Sequence, residues 1–293
     1  MGYARSQQNT IFHAVVAKDG TGDYTTVQSA IDAVPENLKS PWLIFVKNGS
    51  YEEQVIIPQN KPFIHLIGQD KERTIIHLKL NVGGKPDANT KDLAYWHYSV
   101  HNPKSAVSHF EGAVVNINAS DFYSENISYV NDWGLEAQNG PQALALKTKA
   151  DRIAFYNCKF RSFQDTWMTT TRDADRHYVK ECWLEGAVDY FYGGGNALVE
   201  ESTLYNVRSG SVIVAPCHES VKYGYVFRNC VIDGNEQAAD GKLKLGRPWH
   251  NSPKAVYINT LVKIPLAPEG WTNMGTIPAL FAEYNSMDMN GKT

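Results

Sequence analysis

Apolar positions near the start of the chain recur with a helical period: Val27, Ile31 and Val34 stand at i, i+4 and i+7, and Pro35 stops the run. Thr25 and Gln28 stand at capping-box spacing ahead of that stripe, which predicts one helix opening at Thr25. Beyond Pro35 the helical period disappears. It gives way to a series of short runs rich in branched and aromatic residues, among them PWLIFV, QVIIP, FIHLIG, AVVNINA, RIAFYNCKF and SVIVAP, punctuated by Gly, Asn and Asp. The pattern predicts an all-β body with an N-terminal capping helix.

An internal repeat selects among β architectures. FYNCKFRSFQDT from Phe155 and VKECWLEGAVDY from Val179 align without a gap, so Cys158 matches Cys182, Phe160 matches Leu184 and Asp165 matches Asp189, each 24 residues apart. Weaker copies surround Asn126, Ser202 and Cys230. A repeat of roughly 20 to 30 residues made only of strands and turns fits one coil of a parallel β-helix, whereas a sandwich gives such a spacing no reason to recur. Successive coils stack about 4.8 Å apart. The repeat therefore predicts that Asp165 and Asp189 lie one above the other. Stacked carboxylates raise the free energy of the fold unless they are hydrated, partnered or functional. The stacked cysteines read either as small buried fillers or as a disulfide, and the alignment leaves both open.

Composition then removes whole classes. With 28 basic and 31 acidic side chains in 293 residues the net charge is -3, which excludes a broadly basic nucleic-acid binder. The longest apolar runs, such as Leu43 to Val46, fall far short of the ~20 residues that cross a bilayer as a helix, so no membrane partner is expected. Cys158, Cys182, Cys217 and Cys230 form no CxxC, and the nine histidines form no HxH or HExxH pair. No metal site is expected from these spacings. The opening MGYARSQQNT lacks the apolar core of a signal peptide. Residues 1–14 read as an N-terminal extension and residues 15–293 as a single domain.

Five segments belong together: GSYEE at Gly49 to Glu53, PQALAL at Pro141 to Leu146, FQDTW at Phe163 to Trp167, VDYFYG at Val188 to Gly193 and LGRPW at Leu245 to Trp249. With VAKDGTGDYTTVQSAIDAVP before them and FAEYNS after them, in that order, the chain resembles the pectin methylesterases, carbohydrate esterases built on a right-handed parallel β-helix. There are departures from the family pattern. Ser162 and Trp167 stand where that family usually has Gly and Leu, which on this reading alters the wall of a cleft. DYFYG replaces the usual DFIFG. The segment Leu80 to Asn102 has no clear match and is expected to form a rim loop.

The resemblance implies a carboxylate esterase, consistent with the absence of a Ser/His pair in a GxSxG-like setting. Asp189 matches the family's nucleophile and Asp165 its general acid and base. Arg247 matches the residue beside the nucleophile, where it is expected to keep Asp189 ionised while the resulting charge pushes the pKa of Asp165 upward. Gln142 and Gln164 match the oxyanion donors. Trp249, Tyr192, Trp271, Met274 and Phe163 are the expected substrate-binding surfaces, while Gly49, Tyr51 and Glu53 read as structural. The implied partner is a pectic polysaccharide and the implied state a monomer, secreted, periplasmic or on a cell surface. Alternatives are an esterase or thioesterase for another acyl group, a lyase or polygalacturonase on the same solenoid, and a carbohydrate-binding β-helix without activity.

Overall fold

Each short apolar run becomes a strand that pairs with its counterpart one coil away in this computed structural model, which describes residues 12–81 and 112–291. Among the described residues three parallel sheets result. The first has ten strands, from Ala14–Val16 to Leu280–Tyr284; the second has seven, from Val55–Ile57 to Lys244–Gly246; the third has nine, from Gly49–Glu52 to Met287–Asp288. The chain visits them in turn, coil after coil, as a right-handed parallel β-helix. Residues Leu80 to Asn102, expected as a rim loop, lie outside the described residues apart from Leu80 and Asn81.

The 24-residue repeat is the register of the solenoid. Phe160 pairs with Leu184, and Trp167 with Phe191. The weaker copies join the same column, since Tyr129 pairs with Phe160, Leu184 with Leu204, and Leu204 with Ile232. Cys158 and Cys182 are both buried and free, with the Cys158 backbone N–H donating to Cys182 Sγ at 3.3 Å. They are fillers, not a disulfide.

Inward residues form an aromatic column along the axis. Ring centroids run 5.4 Å from Tyr129 to Phe160, 4.7 Å from Phe160 to Trp167 and 5.1 Å from Trp167 to Phe191. The expectation that Ser162 and Trp167 shape a cleft wall is corrected here. Both are fully buried: Ser162 Oγ donates to the Ala143 carbonyl, and Trp167 Nε1 donates to Thr148 Oγ1 at 3.0 Å. Replacing Trp167 by Ala would cost about 3–5 kcal/mol of stability, because a solenoid core has no neighbouring layer to collapse into the hole.

The N-terminal helix, α1, spans Val27–Asp32 and buries Val27, Ala30 and Ile31. Its cap is Thr26 rather than Thr25: the Thr26 side chain accepts the Ser29 N–H, and no capping box forms. The remaining orphan donors find a carboxylate from the next coil, with Val27 and Gln28 N–H donating to Glu53 at 2.8 and 2.9 Å. Glu53 is thus structural, as its segment implied. A second helix, α2, spans Asp132–Ala137 behind the Asn131 cap and was not anticipated from the sequence.

Candidate active site

Residues two apart on a strand share a face, yet Trp167 points into the core while Asp165 meets solvent. The reason is local. Asp165 holds φ +61° and Asp189 φ +50°, left-handed values that turn each carboxylate out of the alternation. Backbone strain of this kind concentrates where surrounding structure imposes it. At Asp189 a bulge adds to the effect: Val188 pairs with Val212 and Phe191 with Val214, so Asp189 and Tyr190 together oppose Ile213 alone. Tyr190 turns inward onto Gly186, where an added Cβ would lie 2.3 Å from the Tyr190 Cβ. Glycine is required there, and the bulge depends on it.

The two carboxylates are on adjacent rungs, held in register by the Asp165 N–H donating to the Val188 carbonyl at 2.9 Å. Arg247 follows the strand Lys244–Gly246, two rungs beyond Asp189, and its own N–H donates to the Val214 carbonyl of the intervening strand. The chain can approach that strand because residue 246 is glycine, whose hypothetical Cβ would sit 2.4 Å from Val214 Cγ2. From there the guanidinium reaches Asp189 with two hydrogen bonds, Nε to Oδ1 at 2.9 Å and Nη2 to Oδ2 at 2.5 Å. This fork geometry both charges and orients the acceptor.

Burial sets the electrostatics. Removal from water raises the pKa of Asp189, and Arg247, with a smaller effect from Arg208, opposes that rise. The guanidinium expected to favour the ionised form of Asp189 thus limits the upward shift that burial imposes. Asp165 is pushed well above the usual range, first by burial and then by the charge of Asp189; the Tyr192 hydroxyl and Arg247 act against this. Asp189 alone has a bidentate cation. Of the two, Asp165 is thus the carboxyl more strongly biased toward its protonated form.

Gln142 and Gln164 lie on adjacent coils. The Ala143 N–H donates to the Gln164 carbonyl at 3.0 Å, and Gln164 itself bridges to Val188. Both glutamines keep partial exposure next to the carboxylate rungs. Tyr192 lies in a small apolar cluster with Ala113, Leu144, Met168 and Ala215 on the outer side of the second sheet, and Trp249 packs against it. The Tyr192 and Trp249 rings meet edge to face at 5.7 Å. Phe163 is buried among Ala187, Val188 and Val207. Trp271 is half-buried, stacked on Phe281 at 4.4 Å, and Met274 is exposed.

Arg208 was missed in the sequence. Its guanidinium lies 5.8 Å over the Phe163 ring, and with Val188, Val212, Lys244, Arg247 and Thr272 it lines an open groove of about 570 Å³. Within VRSGS it carried no motif of its own, and only its place one coil after Asp189 could have marked it. Among the described residues no cluster of three or more His, Cys, Asp or Glu is placed to hold a metal ion.

Comparison with known proteins bears on this arrangement. The pectinesterase family model matches residues 13–95 and 97–291. The chain belongs to the pectinesterase family. It is 33% identical over 275 residues to Pectinesterase 31 of Arabidopsis thaliana, covering 92% of this chain and 80% of that protein. A pectinesterase of Petunia integrifolia is 30% identical over 289 residues, covering 94% and 70%. Among solved structures, pectin methylesterase from carrot superposes with a TM-score of 0.79 at 25% identity, covering 97% of this chain and 86% of that one. The pectin methylesterase of Aspergillus niger gives 0.76 at 26% identity, covering 94% and 85%. Membership makes this pectinesterase-family chain a carboxylic ester hydrolase by kind.

Proposed function

We propose that this chain hydrolyses methyl-esterified galacturonate in pectin, releasing methanol and leaving a carboxylated polymer. The observation that carries the reading is the asymmetry of the aspartate pair: one rung apart, with a bidentate guanidinium on Asp189 and none on Asp165. Asp189, ionised, attacks the ester carbonyl. The oxyanion that forms takes hydrogen bonds from the side-chain amides of Gln142 and Gln164, each such donor contributing on the order of a hundredfold or more. Asp165 gives its proton to the departing methoxide, so methanol leaves and an acyl anhydride remains on Asp189. Asp165, now a carboxylate, takes a proton from water as that water attacks the anhydride, and free acid and ionised Asp189 are restored.

In this reading the partly exposed Trp249 and the exposed Met274 meet sugar rings, while the buried Tyr192 and Phe163 and the half-buried Trp271 act as packing behind them. The modest negative charge of the chain is compatible with this substrate, because a methylated stretch of pectin is locally uncharged. No metal or organic cofactor takes part in these steps. In this reading the enzyme works as a monomer outside the cytoplasm, where pectin is found.

The test is methanol release from highly methylated pectin. Wild type should release methanol steadily, and Asp189→Asn and Asp165→Asn should each lose more than a hundredfold while keeping the β-rich circular dichroism of the parent. Wild-type rates in both variants would overturn the assignment.

A further inference from the structure

The segment GSYEE holds two outward positions, Ser50 and Glu52, between the residues read as structural. Ser50 is exposed on Gly49–Glu52, which is the end strand of the third sheet among the described residues. On the next rung, Thr74–Leu78, His77 stands opposite Glu52, and on the rung after that Val130 stands opposite His77. The chain then leaves the sheet at Asn131 into α2, whose first residue is Asp132. Three side chains from these successive rungs close into a line. Ser50 Oγ lies 2.7 Å from His77 Nε2, and His77 Nδ1 lies 2.6 Å from Asp132 Oδ2. An ionised carboxylate only accepts, so Nδ1 carries the proton and donates to Asp132, and Nε2 is left to accept the Ser50 O–H. Nucleophile, base and orienting carboxylate thus stand in the order and tautomer of a serine hydrolase. They lie on the third sheet, away from the aspartates of the second. We propose that Ser50, His77 and Asp132 form a second nucleophilic site, one that hydrolyses esters of short aliphatic acids.

Ser50 Oγ attacks the ester carbonyl as its proton passes to His77 Nε2. The bond from the carbonyl carbon to the alcohol oxygen breaks, and the alcohol leaves with that proton, so an acyl-serine remains. Water then attacks the acyl carbon and gives a proton to Nε2; Ser50 Oγ takes that proton back as the acid departs. Strand register supplies a donor for the oxyanion. Gly49 and Glu53 N–H point into the sheet, onto the Arg73 and His77 carbonyls at 2.8 and 3.1 Å, so alternation turns the Ser50 N–H out to the free edge. The acyl class follows from the neighbouring side chain. Half-buried Ile75 stands directly opposite Ser50 in register, and an apolar chain laid against it leaves water. That surface is one side chain wide, which suits a short aliphatic acid and not a sugar acid. The three residues are 27 and 55 positions apart along the chain, which is why no local motif announces them.

Two reagents test this on the full chain: an alkyl fluorophosphonate, which phosphonylates a serine activated by a histidine, and p-nitrophenyl butyrate. Wild type should gain one phosphonyl group, mapping to the peptide that contains Gly49–Glu52, and Ser50→Ala should gain none there. Labelling should slow by about a hundredfold or more in His77→Gln, the scale of a lost general base, and should slow in Asp132→Asn as well. Methanol release from pectin should stay at the wild-type rate in all three variants, since none of these residues touches the aspartate pair. In Asp189→Asn, where the aspartate site is disabled, butyrate hydrolysis should persist, and adding Ser50→Ala should abolish it. No adduct on Ser50, or labelling as fast without His77 as with it, would reduce the three residues to a surface hydrogen-bond chain and overturn the proposal. Butyrate hydrolysis that survives Ser50→Ala in that background would overturn it too, and so would labelling of Ser50 without any butyrate turnover.

Discussion

Arg247 holds Asp189 by two hydrogen bonds although a whole strand, Val212–Pro216, lies between their rungs. The reach is possible because glycine at 246 lets the backbone close on Val214, and because a left-handed bulge tips Asp189 toward the guanidinium. Solenoid geometry alone would stack like on like. Here it brings a cation two coils away to one member of a pair and leaves the other to burial.

Arg247→Lys keeps a positive charge and loses the fork. A compact ammonium cannot hold both carboxylate oxygens, so Asp189 is both less well oriented and less well stabilised as an anion. The expected result is a kcat lower on the order of a hundredfold, the scale of a misplacement by about an ångström. The acid limb of the pH profile should also move upward, because Arg247 is what opposes the burial-driven rise of Asp189. Steady-state kinetics across the acid and neutral range would show both effects.

Asp165→Asn should make the protein more stable at neutral pH as it removes activity. Burial and the charge of Asp189 hold the folded-state pKa of Asp165 well above the ordinary 3.8. Between those two values the folded protein binds the proton and the unfolded chain does not, so stability falls as pH rises through that window. An amide has no such dependence. Thermal unfolding at neutral pH should show a midpoint higher by roughly 2–4 °C, what about 1 kcal/mol does in a protein of this size.

Two buried histidines act with the opposite sign. Burial lowers His177 and His218 from 6.5 to about 4. The unfolded chain takes up protons below pH 6.5 and the folded protein does so only near pH 4, so stability is present above that window and is lost as pH falls through it. His218 has both ring nitrogens buried without a hydrogen-bond partner and its ring edge on to Tyr225. His218→Phe should flatten the acid-side decline in melting temperature between pH 6.5 and 4, whereas a decline as steep as in wild type would place the sensitivity elsewhere.

The two aspartates separate by leaving group. Methoxide needs a proton to depart and a nitrophenolate does not, so Asp165→Asn should depress methyl-ester hydrolysis by about 10²- to 10⁴-fold while sparing the first turnover of an activated aryl ester. Stopped-flow absorbance should show a burst of nitrophenolate and then a slow steady state. A burst in Asp189→Asn with none in Asp165→Asn would reverse the roles.

Much of this was legible in the chain because a solenoid writes its register into the sequence. The gapless match of Cys158 with Cys182 and Asp165 with Asp189 carried both the coil length and the stacked pair. What escaped depended on backbone conformation. Trp167 reads as facing the same way as Asp165, and it does not, because φ at Asp165 is positive. Thr26 caps α1 in place of Thr25 because the carboxylate of Glu53, from another coil, supplies what a capping box would have supplied. Arg208 owes its place to a contact across coils, over the Phe163 ring, for which no local pattern exists.

The central claim is that Asp189 carries the acyl group, and the direct measurement is intact-protein mass on Asp165→Asn quenched after mixing with an activated aryl ester of galacturonate. Deacylation is crippled in that variant, so the account predicts a mass increase equal to the galacturonyl group, removable by hydroxylamine and mapping to the peptide containing Val188–Gly193. It should vanish in the Asp165→Asn, Asp189→Asn double variant. Nitrophenolate release without any added mass, or an adduct that persists when Asp189 is gone, would contradict it.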